Sequence, residues 1–428
     1  MIASDLVERA YRRLKFAATI NDETLRETTD PDGQLQYIDI GNVDSWGRIN
    51  EVVTYRFKDA PSRARRVVRN GDVIVSTVRT YLQAIAPVID PPDDLVVSTG
   101  FAVVRPKREI LDPNFCKYLL RESRFLYEVE ARSVGVSYPA INSSDLADIA
   151  IDLPPLPVQR RIAQYLDAET AEIDRLIAEK ERMLTLLEEK RAALLAHAVT
   201  RGLDPNIPLK PSGLEWLDEI PEHWPIMRLK HFCRIGNGST PNRENLDYWE
   251  DGEYPWLNSS VVGDRIVQAE SRFVTEAALK ECHLPKIDPP ALLVAITGQG
   301  KTRGRSTVLT FEATINQHLA YLKPRLGAAD CLYLSYLMDA AYLFVRSDSD
   351  GAGSTRGAIT CEQLGNLRIP LPPLKEQQAI LHSIRAGTER FDVIAVSAAE
   401  STRLLKERRS ALITAAVTGQ TPIEEIPR

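Results

Sequence analysis

The sequence predicts an α+β protein assembled twice over: two similar globular domains with small twisted β-sheets, separated by two long antiparallel helices forming a coiled coil, with an internal pseudo-twofold repeat. Three observations predict it. Residues 153–200 align without a gap onto residues 371–418, at an offset of 218, with 18 of the 48 pairs identical. Islands of the same register continue upstream: Arg105-Pro106 falls on Lys323-Pro324, Tyr118-Leu119 on Tyr336-Leu337, and Ala140-Ile141 on Ala358-Ile359. With small shifts, Arg48-Ile49 matches Arg265-Ile266, and Arg13-Leu14-Lys15 matches Arg228-Leu229-Lys230. Finally, each repeat ends in a helical pattern too long for a globular face. A period of half the chain suits a duplicated domain rather than a solenoid.

The first domain takes residues 1–154. Its apolar runs at 72–78 and 95–104 read as strands, and 113–127 reads as a short helix carrying Phe115, Leu119 and Leu120. The first long helix takes 155–202. Leu166, Ile173, Ile177, Leu184, Leu187 and Leu194 recur at spacings built from threes and fours, with Ala198 closing the row. That spacing marks the seam of a supercoiled pair. Roughly 40 residues at about 1.5 Å each make a rod of about 60 Å. A linker at 203–222, dense in proline and glycine, reads as ordered but non-helical, with Trp216 and Trp224 as its anchors. The second domain, 223–372, repeats the order of the first through 291–296, 319–322 and 331–344.

The second long helix and a tail occupy 373–428, with Ile384, Phe391, Leu405 and Leu412 on the matching row. Small Ala395 and Ala398 stand there where the first copy has Ile177 and Lys180, so the seams read as complementary. Neither helix can hide its stripe alone. Packed antiparallel, they are expected to hold the domains apart at opposite ends. Glu189, Arg191, Glu407 and Arg409 read as ion pairs of an exposed face. Asp174 and Asp392, also at the repeat offset, are open to a partner contact or to plain helix surface.

A net charge of −6 argues against binding nucleic acid by bulk electrostatics. Charge is local instead. Residues 56–70 carry six basic side chains against Asp59, and 298–305 carry Lys301, Arg303 and Arg305 without an acid. The five cysteines are scattered and match no metal spacing, and the Cys282-His283 pair is too isolated for zinc. They read as reduced thiols of a cytoplasmic protein. No signal peptide or membrane-length apolar run is present, so no membrane partner is expected.

At Leu153-Pro154-Pro155-Leu156-x-x-Gln159 and Leu371-Pro372-Pro373-Leu374-x-x-Gln377, each followed by a long helix, the chain resembles the specificity subunit of type I restriction-modification systems. Its linker, Pro211-Ser212-Gly213-Leu214-Glu215-Trp216-Leu217 and Ile220-Pro221-Glu222-His223-Trp224, looks like that family's central connector. Gly236-Asn237-Gly238-Ser239-Thr240-Pro241 resembles the opening of a target recognition domain, although the first domain lacks counterparts to it and to Trp224. The resemblance covers the full length. It implies two target recognition domains, each reading half of a split site in double-stranded DNA, and a helix pair that sets the spacer. It also implies docking of two methyltransferase subunits and recruitment of two restriction (translocase-nuclease) subunits. The chain itself would be non-catalytic and free of cofactors, with S-adenosylmethionine, ATP and magnesium belonging to the partners.

No Asn-Pro-Pro-aromatic motif occurs, since Asp288-Pro289-Pro290-Ala291 lacks the aromatic. Ala295-Ile296-Thr297-Gly298-Gln299-Gly300-Lys301-Thr302 comes close to a phosphate-binding loop, yet that loop needs glycine where Ala295 stands. A glycine-rich hairpin offering Lys301, Arg303 and Arg305 to DNA is the better reading, because the arginine fork matches the two acceptors of guanine. The matching strand end in the first domain offers Arg79 and Tyr81. A second pair of loops adds Arg132 and Tyr138 in the first domain and Arg356 in the second, where Gly351, Gly353 and Gly357 give room to approach a groove. These eight residues are the candidate DNA contacts, with no catalytic or metal-binding set. The rival readings are a coiled-coil scaffold that reads no sequence and an ATPase built on the Lys301 loop.

Overall fold

A computed structural model describes residues 9–268, 272–298, 301–350 and 357–426. The chain divides into two compact units, 1–182 with 399–428, and 183–398. Each unit therefore owns one domain and one stretch of each long helix.

In the first unit, a four-stranded antiparallel sheet runs Ala18–Ile20, Phe101–Pro106, Val73–Ser76, Ile85–Pro87. A second sheet runs Val53–Arg56, Gln34–Ile38, Leu95–Ser98, Ala64–Val67, with its central pair parallel. Between the adjacent strands Leu95–Ser98 and Phe101–Pro106, a turn at Thr99-Gly100 carries the chain from one sheet to the other. The apolar stretches at 95–97 and 101–104 thus lie in two strands of different sheets. The domain is closed by a ladder pairing Ala10–Arg13 with Ala150–Leu153.

The second unit repeats the scheme. Its four-stranded sheet runs Cys233–Asn237, Leu319–Pro324, Ala291–Ala295, Ser306–Leu309. The smaller sheet pairs Tyr254–Leu257 in parallel with Thr314–Ile315. Ile226–Arg228 against Arg368–Pro370 supplies the closing ladder. Even the N-terminal edge corresponds: Leu14 N–H donates to Ile149 O at 2.9 Å, and Leu229 N–H to Leu367 O at 3.1 Å.

Where one helix was expected at 113–127, there are two, Pro113–Leu119 and Ser123–Ala131. The break is made by Glu122, whose carboxylate turns back to accept from the N–H groups of Arg124 at 2.7 Å and Phe125 at 2.6 Å. A side chain that satisfies these otherwise unpaired donors starts a new helix. The 331–344 segment divides likewise into Cys331–Ala340 and Tyr342–Asp350.

The repeated glutamine explains the Leu-Pro-Pro-Leu-x-x-Gln signature physically. Gln159 is buried; its Nε2 donates to Pro154 O at 2.8 Å and Ile110 O at 2.9 Å, and its Oε1 accepts from Asp112 N–H at 2.9 Å. Gln377 does the same with Pro372 O at 2.8 Å and Asp330 N–H at 2.9 Å. Asp112 and Asp330 in turn cap the helices Pro113–Leu119 and Cys331–Ala340. One amide thereby ties the start of a long helix to the capped helix of its domain. Both groups it joins would otherwise be buried unpaired, at a cost of about 1–3 kcal/mol each.

The long helices span Leu156–Arg201 and Leu374–Val417. Within the first unit, Ile162, Ala163 and Leu166 share a core with Ile413, Ala416 and Val417 and with Phe115, Leu120 and Phe125. Within the second, Ala198, Val199, Ile380 and Ile384 share one with Tyr333, Leu334 and Leu337. Of the expected seam, Leu166, Ile173, Ile177 and Ile384 are buried, while Leu184, Leu187, Leu194, Phe391, Leu405 and Leu412 are half-buried. Away from the domains the seam is thin. Arg191 and Arg409 do not belong to separate exposed faces: each crosses to an aspartate of the other helix, Asp392 and Asp174 respectively.

The linker holds a two-stranded hairpin, Leu209–Leu214 with Leu217–Pro221. It ends on Trp224, which is fully buried, while Trp216 is only half-buried.

Candidate nucleic-acid interface

In the first domain the two candidate loops form one surface. Ile141 N–H donates to Thr77 O at 2.9 Å, Thr80 N–H to Pro139 O at 3.4 Å, and the hydroxyls of Thr80 and Ser133 meet at 2.8 Å. Arg79 adopts φ of +51°, a left-handed conformation that costs a non-glycine residue energy and turns its side chain out of the strand line. Its guanidinium lies 4.9 Å from the centroid of the Tyr138 ring. Stacking of this kind contributes about 0.5–1 kcal/mol at an exposed site and holds the arginine fork extended.

Around this pair stand exposed Tyr81, Leu82, Val134 and Val136. The three aliphatic members are absent from the sequence-based set; Val134 and Val136 flank Gly135 within the 132–138 loop, and Leu82 follows Tyr81. An arginine stacked on tyrosine beside exposed aromatic and aliphatic groups suits bases and sugars better than bulk water. Arg132 is otherwise engaged, with both Nε and Nη2 bonded to Glu128 Oε2 at 3.1 and 3.0 Å.

The same clasp recurs in the second domain, where Ile359 N–H donates to Ile296 O at 2.8 Å. Lys301 is exposed, and its carbonyl accepts from Tyr342 Oη at 3.0 Å and Arg305 Nε at 3.2 Å. Arg305 is exposed, 5.9 Å from the Tyr342 ring. Arg303 departs from expectation, being only 5% exposed. Gly304 turns here with φ of +86° against the Tyr342 ring, so the chain folds Arg303 inward and leaves Lys301 and Arg305 outside. Arg356 lies outside the described residues.

A residue missed at the sequence level is Arg265. It pairs with Asp339 at 2.6 Å, donates to Ser335 Oγ at 2.9 Å and stacks 4.3 Å from the Tyr336 ring. With Arg191 and Arg305 it lines a crevice of about 280 Å³.

Half of the basic run at 56–70 is spent locally. Lys58 pairs with Asp32 at 2.6 Å, Arg69 with Glu23 at 2.8 Å, and Arg65 stacks on Phe57. The Arg66 guanidinium is lowered from its usual value by burial.

The phosphate-loop reading fails on architecture. Strand Ala291–Ala295 leads into an antiparallel partner, Ser306–Leu309, with Ala295 N–H bonded to Arg305 O at 2.9 Å and Gly304 N–H to Ala295 O at 2.8 Å. A phosphate-binding loop must instead open a helix whose N–H groups face the phosphates. Among the described residues, no group of three or more His, Cys, Asp and Glu could hold a metal ion. Burial pushes the Cys233 and Cys331 thiols up to about 12, which keeps them protonated and unreactive. Among the described residues, no helix is long and apolar enough to cross a membrane.

Replacing Arg79 with alanine should cost about 1–3 kcal/mol at one base pair if its fork reads a base edge. Binding titrations against single-base variants of the target check this; equal weakening on every sequence would mark a phosphate contact instead.

Residues 29–185 and 221–392 match the family model of the type I restriction modification DNA specificity domain. A putative type I restriction enzyme MjaX specificity subunit of Methanocaldococcus jannaschii is 24% identical over 76% of this chain and 73% of its own length. The EcoBI specificity subunit of Escherichia coli is 24% identical over 80% and 79%. A chain solved in a study of assembly and conformational transition of the type I R-M system aligns over 96% of this chain and 97% of its own. Its TM-score is 0.71 and its identity 28%. The HsdS subunit of Thermoanaerobacter tengcongensis aligns over the same shares with a TM-score of 0.51 and 26% identity. With two matched copies covering more than half of its length, the chain belongs to the type I restriction-modification DNA specificity family.

Proposed function

We propose that the chain is the DNA-reading specificity subunit of a type I restriction-modification complex. In this reading the domains at 1–154 and 223–372 each recognise one half of a bipartite duplex target. The long helices set the unread spacer and dock methyltransferase subunits. One observation carries the proposal: the same loop clasp, Ile141 to Thr77 and Ile359 to Ile296, presents cationic and aromatic side chains from both copies of one domain. A duplicated reader with pseudo-twofold symmetry answers a target in two halves, as homodimers do with half-sites.

In this reading the chain is non-catalytic, and methylation and cleavage fall to partners. Two methyltransferase subunits would hold S-adenosylmethionine, and two restriction subunits would use ATP and magnesium. Exposed Leu186, Val393 and Val396 on the long helices are available for docking of such subunits. The net charge of −6 fits a reader whose partners supply much of the phosphate neutralisation.

Spacer length tests the reading. Inserting four residues at matched points of both helices lengthens each by about 6 Å. The reconstituted methyltransferase complex should then methylate targets whose spacer is longer by about two base pairs. An unchanged spacer preference would contradict the ruler role.

A further inference from the structure

The long helices carry two cross-helix ion pairs that are copies of one another. In the first unit Arg409 meets Asp174, Nε to Oδ1 at 2.9 Å and Nη2 to Oδ2 at 3.2 Å. In the second, Arg191 Nη1 meets Asp392 Oδ1 at 2.7 Å. Arg191 and Arg409 stand at the repeat offset, as do Asp174 and Asp392. Each bridge thus has its counterpart, at the repeat offset, in the other unit, and each joins the two helices in antiparallel fashion within its own unit.

We propose that these repeat-related Arg–Asp bridges are the positioning residues that fix the register of the helix pair, and through it the DNA spacer. The proposal rests on the ruler reading above. The apolar seam is a weak judge of register. Leu184, Leu187 and Leu194 on one helix and Phe391 and Leu405 on the other are half-buried, and a leucine packs nearly as well one turn away. A one-turn slip moves facing groups by about 5.4 Å, which breaks both bridges together.

The consequence is most severe for Arg409. It is 8% exposed, lies 6.0 Å from the Trp46 ring, and faces a second, half-buried cation, Arg121. Arg121 donates to the carbonyls of Ser45 and Trp46, and its guanidinium is lowered to about 10 by burial first and by the charge of Arg409 second. Separated from Asp174, Arg409 would be a buried charge beside a like charge. Setting register is the best-attested task of a buried ionic group, whose net contribution to stability is otherwise small.

The test needs no knowledge of the target for its first arm. A β-carbon built at Gly387 lies 3.6 Å from both Leu194 methyls, so the pair Leu194→Cys and Gly387→Cys reports register in the full chain by disulfide formation. Peptide mapping separates this link from the native thiols. Into that background go the reversal Arg191→Asp with Arg409→Asp, and the full swap adding Asp174→Arg and Asp392→Arg. Should burial of position 409 prevent folding, Arg191→Asp alone and its swap with Asp392→Arg provide the same comparison at the exposed bridge.

The expected result is a fall of about tenfold in disulfide yield on reversal and recovery in the swap. In the reconstituted complex, methylation should spread to spacers one step from the native length on reversal and narrow again in the swap. A reversal that keeps native disulfide yield overturns the proposal, as does a swap that fails to restore it. Lost register with an unchanged spacer also overturns it, and places the fault in the ruler reading rather than in the bridges.

Discussion

Truncating Trp224 to alanine is expected to destabilise the second unit by about 3–5 kcal/mol, the range for removing a buried tryptophan from a packed core. The indole is fully buried in the cluster that holds Ala198, Val199 and Ile220 together with Ile380 and Ile384. It therefore joins the linker, the end of one long helix and the start of the other. Its Nε1 donates to Glu376 Oε1 at 3.0 Å, while the other carboxylate oxygen meets His223 Nε2 at 2.8 Å.

Phenylalanine at position 224 separates packing from hydrogen bonding. It should cost less than alanine, retaining most of the apolar contact while leaving one oxygen of Glu376 unpaired, at about 1–3 kcal/mol. Chemical denaturation followed by a probe in the second unit measures both, because two units need not melt as one transition. A loss below about 1 kcal/mol for alanine would mean that the linker is anchored elsewhere. In the first unit the counterpart of Glu376 is Val158, in an apolar cluster with Ile423 and Ile426.

Exchanging residues 223–372 for the corresponding domain of a relative is expected to change one half of the DNA target completely and leave the other half and the spacer as they were. Affinity for the original site should fall by about a thousandfold or more, the gap between specific and non-specific binding. The closing ladder Ile226–Arg228 with Arg368–Pro370 and the Gln377 clamp mark where the graft must be cut, since both tie the domain to its helix. Mapping methylated adenines in cells carrying the chimera reads the outcome. If both half-sites changed together, the two domains would not be independent readers.

Much of this architecture is legible in the residues alone. A gap-free repeat with 18 identities in 48 announces duplication, and apolar spacings of three and four announce paired helices. The candidate interface is legible only in part. Arg79, Tyr81 and Tyr138 are brought to one exposed surface, and Lys301 and Arg305 remain outside. Arg303, two residues from each of the latter, is buried, because a turn at Gly304 decides inside from outside and composition does not. Arg132 is tied to Glu128 one helical turn away, a pairing that depends on where its helix ends.

By itself, then, the sequence determined the number of domains, their order and the kind of element at each stage, since these follow from local periodicity and self-similarity. Only the tertiary structure decided which charges meet. Asp174 and Arg409 are 235 residues apart, and no local pattern relates them. Their encounter requires antiparallel packing in one register out of several that the leucines would accept. Selection among such registers is a property of long-range geometry, and so is the loop clasp that joins residues around Thr77 to those around Ile141.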